Sequence, residues 1–266
     1  MRKKRALFLV FCIAALCSLL VVLLHPAPID RQRVLANAVD FCKKLDAWEH
    51  LLLLDVIYRR FGIDEFADAL QRYDQILSLS PQDAPLMRVL RRIADHDNPL
   101  QPGDLEKVND RINRLIVTAL YCDRLGLPED YPEMLVQAAS EGGESLTHVL
   151  LAWIWIQESD HEVSLPEGFT SQLYRANADL INDDTVVNDL EIEAGALLFL
   201  AGQGALVDNA FVERLSAVQN FDGGWLDSSD TPGASSAHST VLALLLLLHV
   251  EYPSDSYPPM LAPPSL

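Results

Sequence analysis

The chain has little cysteine, and none of it is arranged for chemistry. Of four cysteines in 266 residues, Cys12 and Cys17 fall in an uncharged apolar run, which leaves Cys42 and Cys122. Two thiols so far apart make neither a CxxC knuckle nor a disulfide framework. An oxidising compartment would leave one bridge open to them, but two buried free thiols are the plainer expectation. Basic residues are scarce as well: 20 Lys and Arg stand against 38 Asp and Glu. Four of those 20 are Arg2 to Arg5, so the body is more acidic than the net charge of −18 shows. Such a body repels nucleic acid and anionic lipid. An acidic solvated surface explains it more simply than an acidic binding face. Nucleophile elbow, P-loop, dinucleotide fingerprint and Cys–His pairing are absent. No stretch alternates apolar and polar residues between hairpin turns, which leaves an all-α fold.

What is present begins with an address. The basic cluster at 1–5 precedes Ala6 to Leu24, about 19 residues without a charge. A basic flank and an apolar run make either a signal peptide or a transmembrane helix. The run is long for a signal peptide, and His25-Pro26-Ala27-Pro28 is a poor cleavage site. The reading is a signal anchor over 6–24 with a cytoplasmic basic tail, a linker over 25–33, and a helical domain over 34–250. By the positive-inside rule the domain lies outside the cell membrane, in a bacterium on the periplasmic side of the inner membrane. The Pro- and Ser-rich residues 251–266 read as a loose tail.

Helical periodicity predicts segments at 34–61, 64–78, 84–94, 104–124, 131–139, 145–157, 167–180, 188–201, 207–218 and 236–249. Asp104 is the expected N-cap of its helix, and Asn188 with Glu191 forms a capping box. Amphipathic helices alternate with shorter, more apolar ones, as a double layer of half-exposed outer and buried inner helices requires.

The apolar helices repeat. The steps from His148 to Glu193 and from Glu193 to His238 are each 45 residues. Ser145-Leu146-Thr147-His148 matches Ser235-Ser236-Ala237-His238, and Gly143 and Gly233 stand two residues before the serines. With Ser145 and Ser235 as N-caps, both histidines fall on the first turn of an inner helix. A unit of this length is an αα-hairpin, which buries its apolar face only by stacking on others. Stacking brings equivalent positions together, so His148, Glu193 and His238 form a candidate site for a divalent metal. Two imidazoles and a carboxylate suit zinc best, with iron or manganese behind it. Asp189, Glu191 and Asp110 are candidate further ligands or supports. Isolated His96 reads as a loop residue, and His50 and His249 as satisfied helix or core residues.

Gln219-Asn220-Phe221-Asp222-Gly223-Gly224-Trp225, followed by a loop, His238-Ser239-Thr240 and an apolar run, resembles the Q-x-x-D-G-x-W repeat of the α/α-toroid superfamily. That superfamily includes squalene and oxidosqualene cyclases and the β subunits of protein prenyltransferases. The likeness is close from Phe211 to Val250 and weaker through the preceding repeats. Leu146-Thr147-His148, Asp189 to Glu193 and His238-Ser239-Thr240 are also similar to uncharacterised bacterial toroid-like proteins. The resemblance implies a toroid of αα-hairpins. About five hairpins are present, one short of a full ring. It also implies a structural motif in which Gln219 ties helix ends, Gly223 and Gly224 take positive φ, and Trp225 covers the seam. Asp222 is then structural rather than catalytic. The cyclase motif D-x-D-D is missing from every apolar helix, since Asn182-Asp183-Asp184 lies in a polar turn. No Asp-x-Cys stands where a prenyltransferase would bind zinc, so neither activity carries over.

These observations name no catalytic residue. They lead to a membrane-anchored extracytoplasmic helical-repeat domain with a polar central pocket that is a candidate for a divalent metal and whose substrate, or protein or small-molecule partner, the sequence does not name. The alternative is a non-catalytic scaffold that docks a protein of the cell envelope.

Overall fold

The computed structural model describes residues 29–79, 84–181, 186–227 and 234–264. The anchor expected at 6–24 and the turn at Asn182-Asp183-Asp184 lie outside the described residues. Among the described residues no helix is long and apolar enough to cross a membrane. The part after Asp30 is all-α apart from one short antiparallel pairing, β1 (Trp225–Asp227) with β2 (Ser235–Ser236).

Its helices are α1 (Arg31–Cys42), α2 (Trp48–Phe61), α3 (Ala69–Leu79), α4 (Ala84–Leu90), α5 (Arg111–Leu120) and α6 (Cys122–Leu125). They continue with α7 (Tyr131–Glu141), α8 (Gly143–Glu158), α9 (Phe169–Ala178), α10 (Asp189–Leu200), α11 (Asn209–Ala217) and α12 (Ala237–Glu251). Helix α12 has no polar face: every residue from Ser239 to His249 is buried. A helix apolar all round must be enclosed, and α12 packs against α10, α1, α2 and β1. Helix α10 is also apolar on every side and packs on α8 as well. A Cβ on Gly195 would stand 2.7 Å from Leu246 Cδ1, so the bare glycine lets α10 and α12 approach closely. Helix α8 in turn packs on α5, while α7, α9 and α3 cover α8, α10 and α2 from outside.

The inner row α2, α12, α10, α8 is parallel. Near the starts of its helices, Asp189, Glu193 and His238 share one small space, with His148 beside them. At the other end His249 of α12 stacks on Phe199 of α10 at 5.5 Å and accepts from Arg60 Nε of α2 at 2.9 Å.

The Gln219 motif is a joint between the last hairpin and the first helix. Gln219 Nε2 donates to the carbonyls of Gly223 (2.9 Å) and Val34 (2.8 Å), and Asn37 Nδ2 donates back to Gln219 Oε1. Asp222 accepts from the Ser235 hydroxyl and from the backbone N–H groups of Ser235 and Gly224. Burial pushes the Asp222 carboxyl up, but these hydrogen bonds together outweigh it and hold it below the usual range. Trp225 is fully buried and donates to Leu215 O at 2.7 Å. Gly223 has φ +93°, and a Cβ there would overlap the Asn37 carbonyl. Gly224 does not share the positive φ. It is needed because a Cβ would run into Ser235 and Thr240.

Several expected boundaries are corrected. The single helix over 34–61 is two, because residues 43–47 reverse the chain so that α1 and α2 both lie on α12. Asp104 caps nothing: it is buried in a bidentate pair with Arg88, and the helix begins seven residues later under Asp110. Cys42 and Cys122 are buried free thiols, and burial pushes Cys42 up to about 12.

Residues 252–264 are not a loose tail. Met260 and Leu261 are buried, and both Glu158 oxygens accept their backbone N–H groups at 2.7 and 2.9 Å. Trp155 Nε1 reaches Met260 Sδ, Arg59 holds Met260 O, and Ala262 N donates to Ile93 O. The strap walls a cavity of about 670 Å³ with Arg60, Phe199 and His249. Both His249 nitrogens are occupied, by Leu245 O and Arg60, and burial pulls its pKa down to about 4.

Ending the chain at Glu251 should strand Glu158 as a buried carboxylate and expose Trp155. The expected loss is at least ~3 kcal/mol, or roughly 6–12 °C in Tm; an unchanged melting curve would show the strap to be ornamental. Gly223→Ala should lower Tm more than Gly62→Ala. Both positions have positive φ, worth about 1–2 kcal/mol, but only Gly223 also faces backbone.

Candidate metal centre

Four inner helices bring chemistry-bearing side chains to one end of the row, each from its own local geometry. Helix α10 starts under the Asn188–Glu191 capping box, with hydrogen bonds of 2.9 and 3.1 Å, so Asp189 lies on its first turn and Glu193 on the next. Helix α12 starts under Ser236, whose hydroxyl accepts from Ser239 N. His238 therefore lies two residues after its cap. Helix α8 is capped by Gly142, not Ser145, which places His148 six residues in. Ser235 likewise is not a cap; it binds Asp222. The even spacing of 45 thus joins residues at different helical phases, and convergence depends on where each helix starts.

Asp189, Glu193 and His238 each offer a ligand atom, all within 4.8 Å of one another. Two ligands bound at about 2.0–2.2 Å to one ion stand roughly 3.5 Å apart in tetrahedral geometry. The group is therefore about an ångström wider than a closed site, a distance spanned by side-chain torsions. The donor set of one imidazole and two carboxylates suits a divalent ion. Asp189 belongs to this set directly. The Ser239 hydroxyl donates to its Oδ1 and Ser236 stands behind Ser239, so a hydrogen-bonded chain orients the carboxylate.

His148 stands beside the group, with Nδ1 3.9 Å from Glu193 Oε1. The same Nδ1 lies 2.7 Å from the Glu144 carbonyl, which can only accept. That contact places a proton on Nδ1. Glu191 is committed to the capping box and buried, and Asp110 caps α5 by accepting from Asn113 N. Neither is in the group that could hold a metal ion. His50, which reads from sequence as a satisfied helix residue, is not satisfied. It opens α2, its Nδ1 is buried, and that atom has no hydrogen-bond partner. Its one sequence signal, a histidine three residues into an inner helix, was hidden by reading 34–61 as continuous.

Burial raises the Glu193 pKa, while His148, His238 and the Thr147 hydroxyl oppose the rise and Asp189 adds to it. The consequence for stability has a definite sign. Above the ordinary glutamate value of 4.5, the unfolded chain loses this proton before the folded one does. Stability from this group is therefore full below that value and is lost as pH rises through the folded pKa. Glu193→Gln, which mimics the protonated acid, should raise the metal-free melting temperature at pH 7, and the gain should fade towards pH 4. A variant that is less stable at pH 7 would show the carboxylate to be well paired.

No family model, no curated protein and no solved structure matches this chain.

Proposed function

We propose that this chain is a membrane-anchored, extracytoplasmic α/α-toroid-like domain whose inner-helix mouth holds a divalent cation, zinc by preference. The observation that carries the metal reading is the convergence of Asp189, Glu193 and His238 within 4.8 Å. Burial of the Glu193 carboxyl beside two imidazoles raises its pKa, and a cation bound there would offset the cost of burying the carboxylate. Zinc is favoured because nitrogen and carboxylate donors are mixed, and hard ions such as magnesium prefer oxygen alone. A three-ligand set at a mouth leaves positions for water or a small molecule, and a bound ion would supply Lewis acidity to either.

The toroid reading is supported by the parallel inner row, by the packing of α12 on both α1 and α2, and by Gln219 bonding back to Val34. The hydroxyls of Tyr73 in α3 and of Tyr121, at the end of α5, donate to Met87 O and Val89 O of α4, which is consistent with a continuing row. The anchor rests on the charge-free run from Ala6 to Leu24 behind Arg2 to Arg5.

Full-length protein purified in detergent should carry about one equivalent of zinc after zinc loading and desalting, by elemental analysis. His238→Ala and Glu193→Gln should each lower the retained zinc at least about tenfold. Chelator should lower the wild-type melting temperature and leave the variants unchanged. Wild-type zinc far below one equivalent, with a chelator-insensitive Tm, would sink the metal reading in favour of the scaffold. Release of the chain from membranes by alkaline carbonate would remove the anchor.

A further inference from the structure

The far end of the inner row is closed by hydrogen bonds of fixed polarity. His249 is buried in α12, and its Nδ1 donates to the Leu245 carbonyl at 2.8 Å. A neutral ring then has only a lone pair on Nε2, and that atom accepts from Arg60 Nε at 2.9 Å. Phe61, Phe199 and Tyr257 box the ring, with centroids 4.9, 5.5 and 4.7 Å away.

Arg60 ties the strap to this ring. Its guanidinium lies over the Tyr257 ring, 4.6 Å from the centroid, and its Nη1 donates to Pro258 O. The Tyr257 hydroxyl donates to Tyr252 O at 2.7 Å and accepts from Ser254 N at 3.0 Å. Residues 252–258 are thus tied down through one arginine and one tyrosine, both seated on His249. Met260 and Leu261 are held separately, by Glu158 and Arg59. Under the first part of the strap lies the cavity of about 670 Å³.

This arrangement has no place for a second proton on the ring. Nε2 would turn from acceptor to donor while facing the N–H of a guanidinium that is always charged. The neighbours give no relief. Phe61 and Arg60 come from α2, Phe199 from α10 and Tyr257 from the strap, and none is an anion. Glu158 of α8 and the exposed Asp255 line the same cavity, but Glu158 is engaged by the Met260 and Leu261 N–H groups. Among the described residues neither carboxylate bonds to the ring, whose partners are Leu245 O and Arg60.

We propose that His249 is an acid-sensitive latch: a proton taken from solvent onto Nε2 expels Arg60, frees residues 252–258 and opens the cavity they wall. Met260 stays docked, so the freed segment swings as a flap hinged there. Burial holds the His249 pKa down to about 4 in the closed form, and exposure returns it towards the ordinary 6.5. The closed form is therefore fully favoured above 6.5, and its advantage is lost as pH falls from 6.5 to about 4.

The test is hydrogen exchange read by mass spectrometry on full-length protein in detergent, from pH 7 to about pH 4, corrected for the intrinsic pH dependence of exchange. Below pH 6.5 the amides of 252–257 should lose protection by up to about tenfold per pH unit, while those of Val241 to Leu248 in α12 stay protected. In His249→Gln, whose amide can make both hydrogen bonds but takes up no proton, the dependence should vanish. Glu158→Gln should keep it, since Glu158 holds the other half of the strap. Should His249→Gln fail to fold, Arg60→Gln carries the test: 252–257 should exchange faster than in wild type already at pH 7, with a shallower pH dependence. Wild-type protection that is constant across this range would overturn the latch. A response that survives in His249→Gln, or one abolished by Glu158→Gln, would overturn it too. Parallel loss of protection in α12 would replace it with general acid unfolding.

Discussion

The structure depends on the enclosure of one helix. From Ser239 to His249 every residue of α12 is buried, and each fully buried leucine there is worth about 1.5–3 kcal/mol. That gain is realised only if neighbours cover every side. Helix α10 covers one flank through the gap left by Gly195, and α1 and α2 cover another. The ends of the helix inherit their chemistry from this burial. At the start, where side chains reach the rim, His238 meets two carboxylates. At the finish, His249 is so enclosed that it stays neutral and serves as an acceptor for Arg60.

The two ends of the inner row differ in how their polar groups are met. At the far end the strap brings its own backbone to the charged groups: Glu158 receives two N–H groups and Arg59 receives carbonyls. At the near end burial raises the pKa of Glu193, and His50 keeps a buried nitrogen without a hydrogen bond. The far end is met by the chain's own backbone, whereas at the near end Asp189, Glu193 and His238 face one another across a small space.

The architecture was legible where the signal was chemical and local. Asn188 with Glu191 reads as a capping box and is one, and the Asp222 to Trp225 turn reads as a joint and is one. The proximity of Glu193 to both His148 and His238 was suggested by the repeat, although the helices begin at different phases of it. What could not be read depends on partners distant in sequence. The break at 43–47 has no glycine or proline to mark it and follows from both flanking helices needing α12, so His50 looked like the middle of a helix. Asp104 looked like a cap because Arg88, its actual partner, is invisible to local pattern. The strap reads as polar and proline-rich, and only Met260 and Leu261 hint that it docks.

The bond from Gln219 to Val34 joins positions 185 residues apart, which has a bearing on how the protein comes into being. During synthesis α1 and α2 appear long before α12, the helix that covers them. At ribosomal speeds of about 5–20 residues per second, their apolar faces wait on the order of ten to forty seconds for α12. Hairpins later in the chain find their neighbours almost at once. The nascent pair α1 and α2 is therefore the segment most in need of a chaperone's protection, and its enclosure waits for α12.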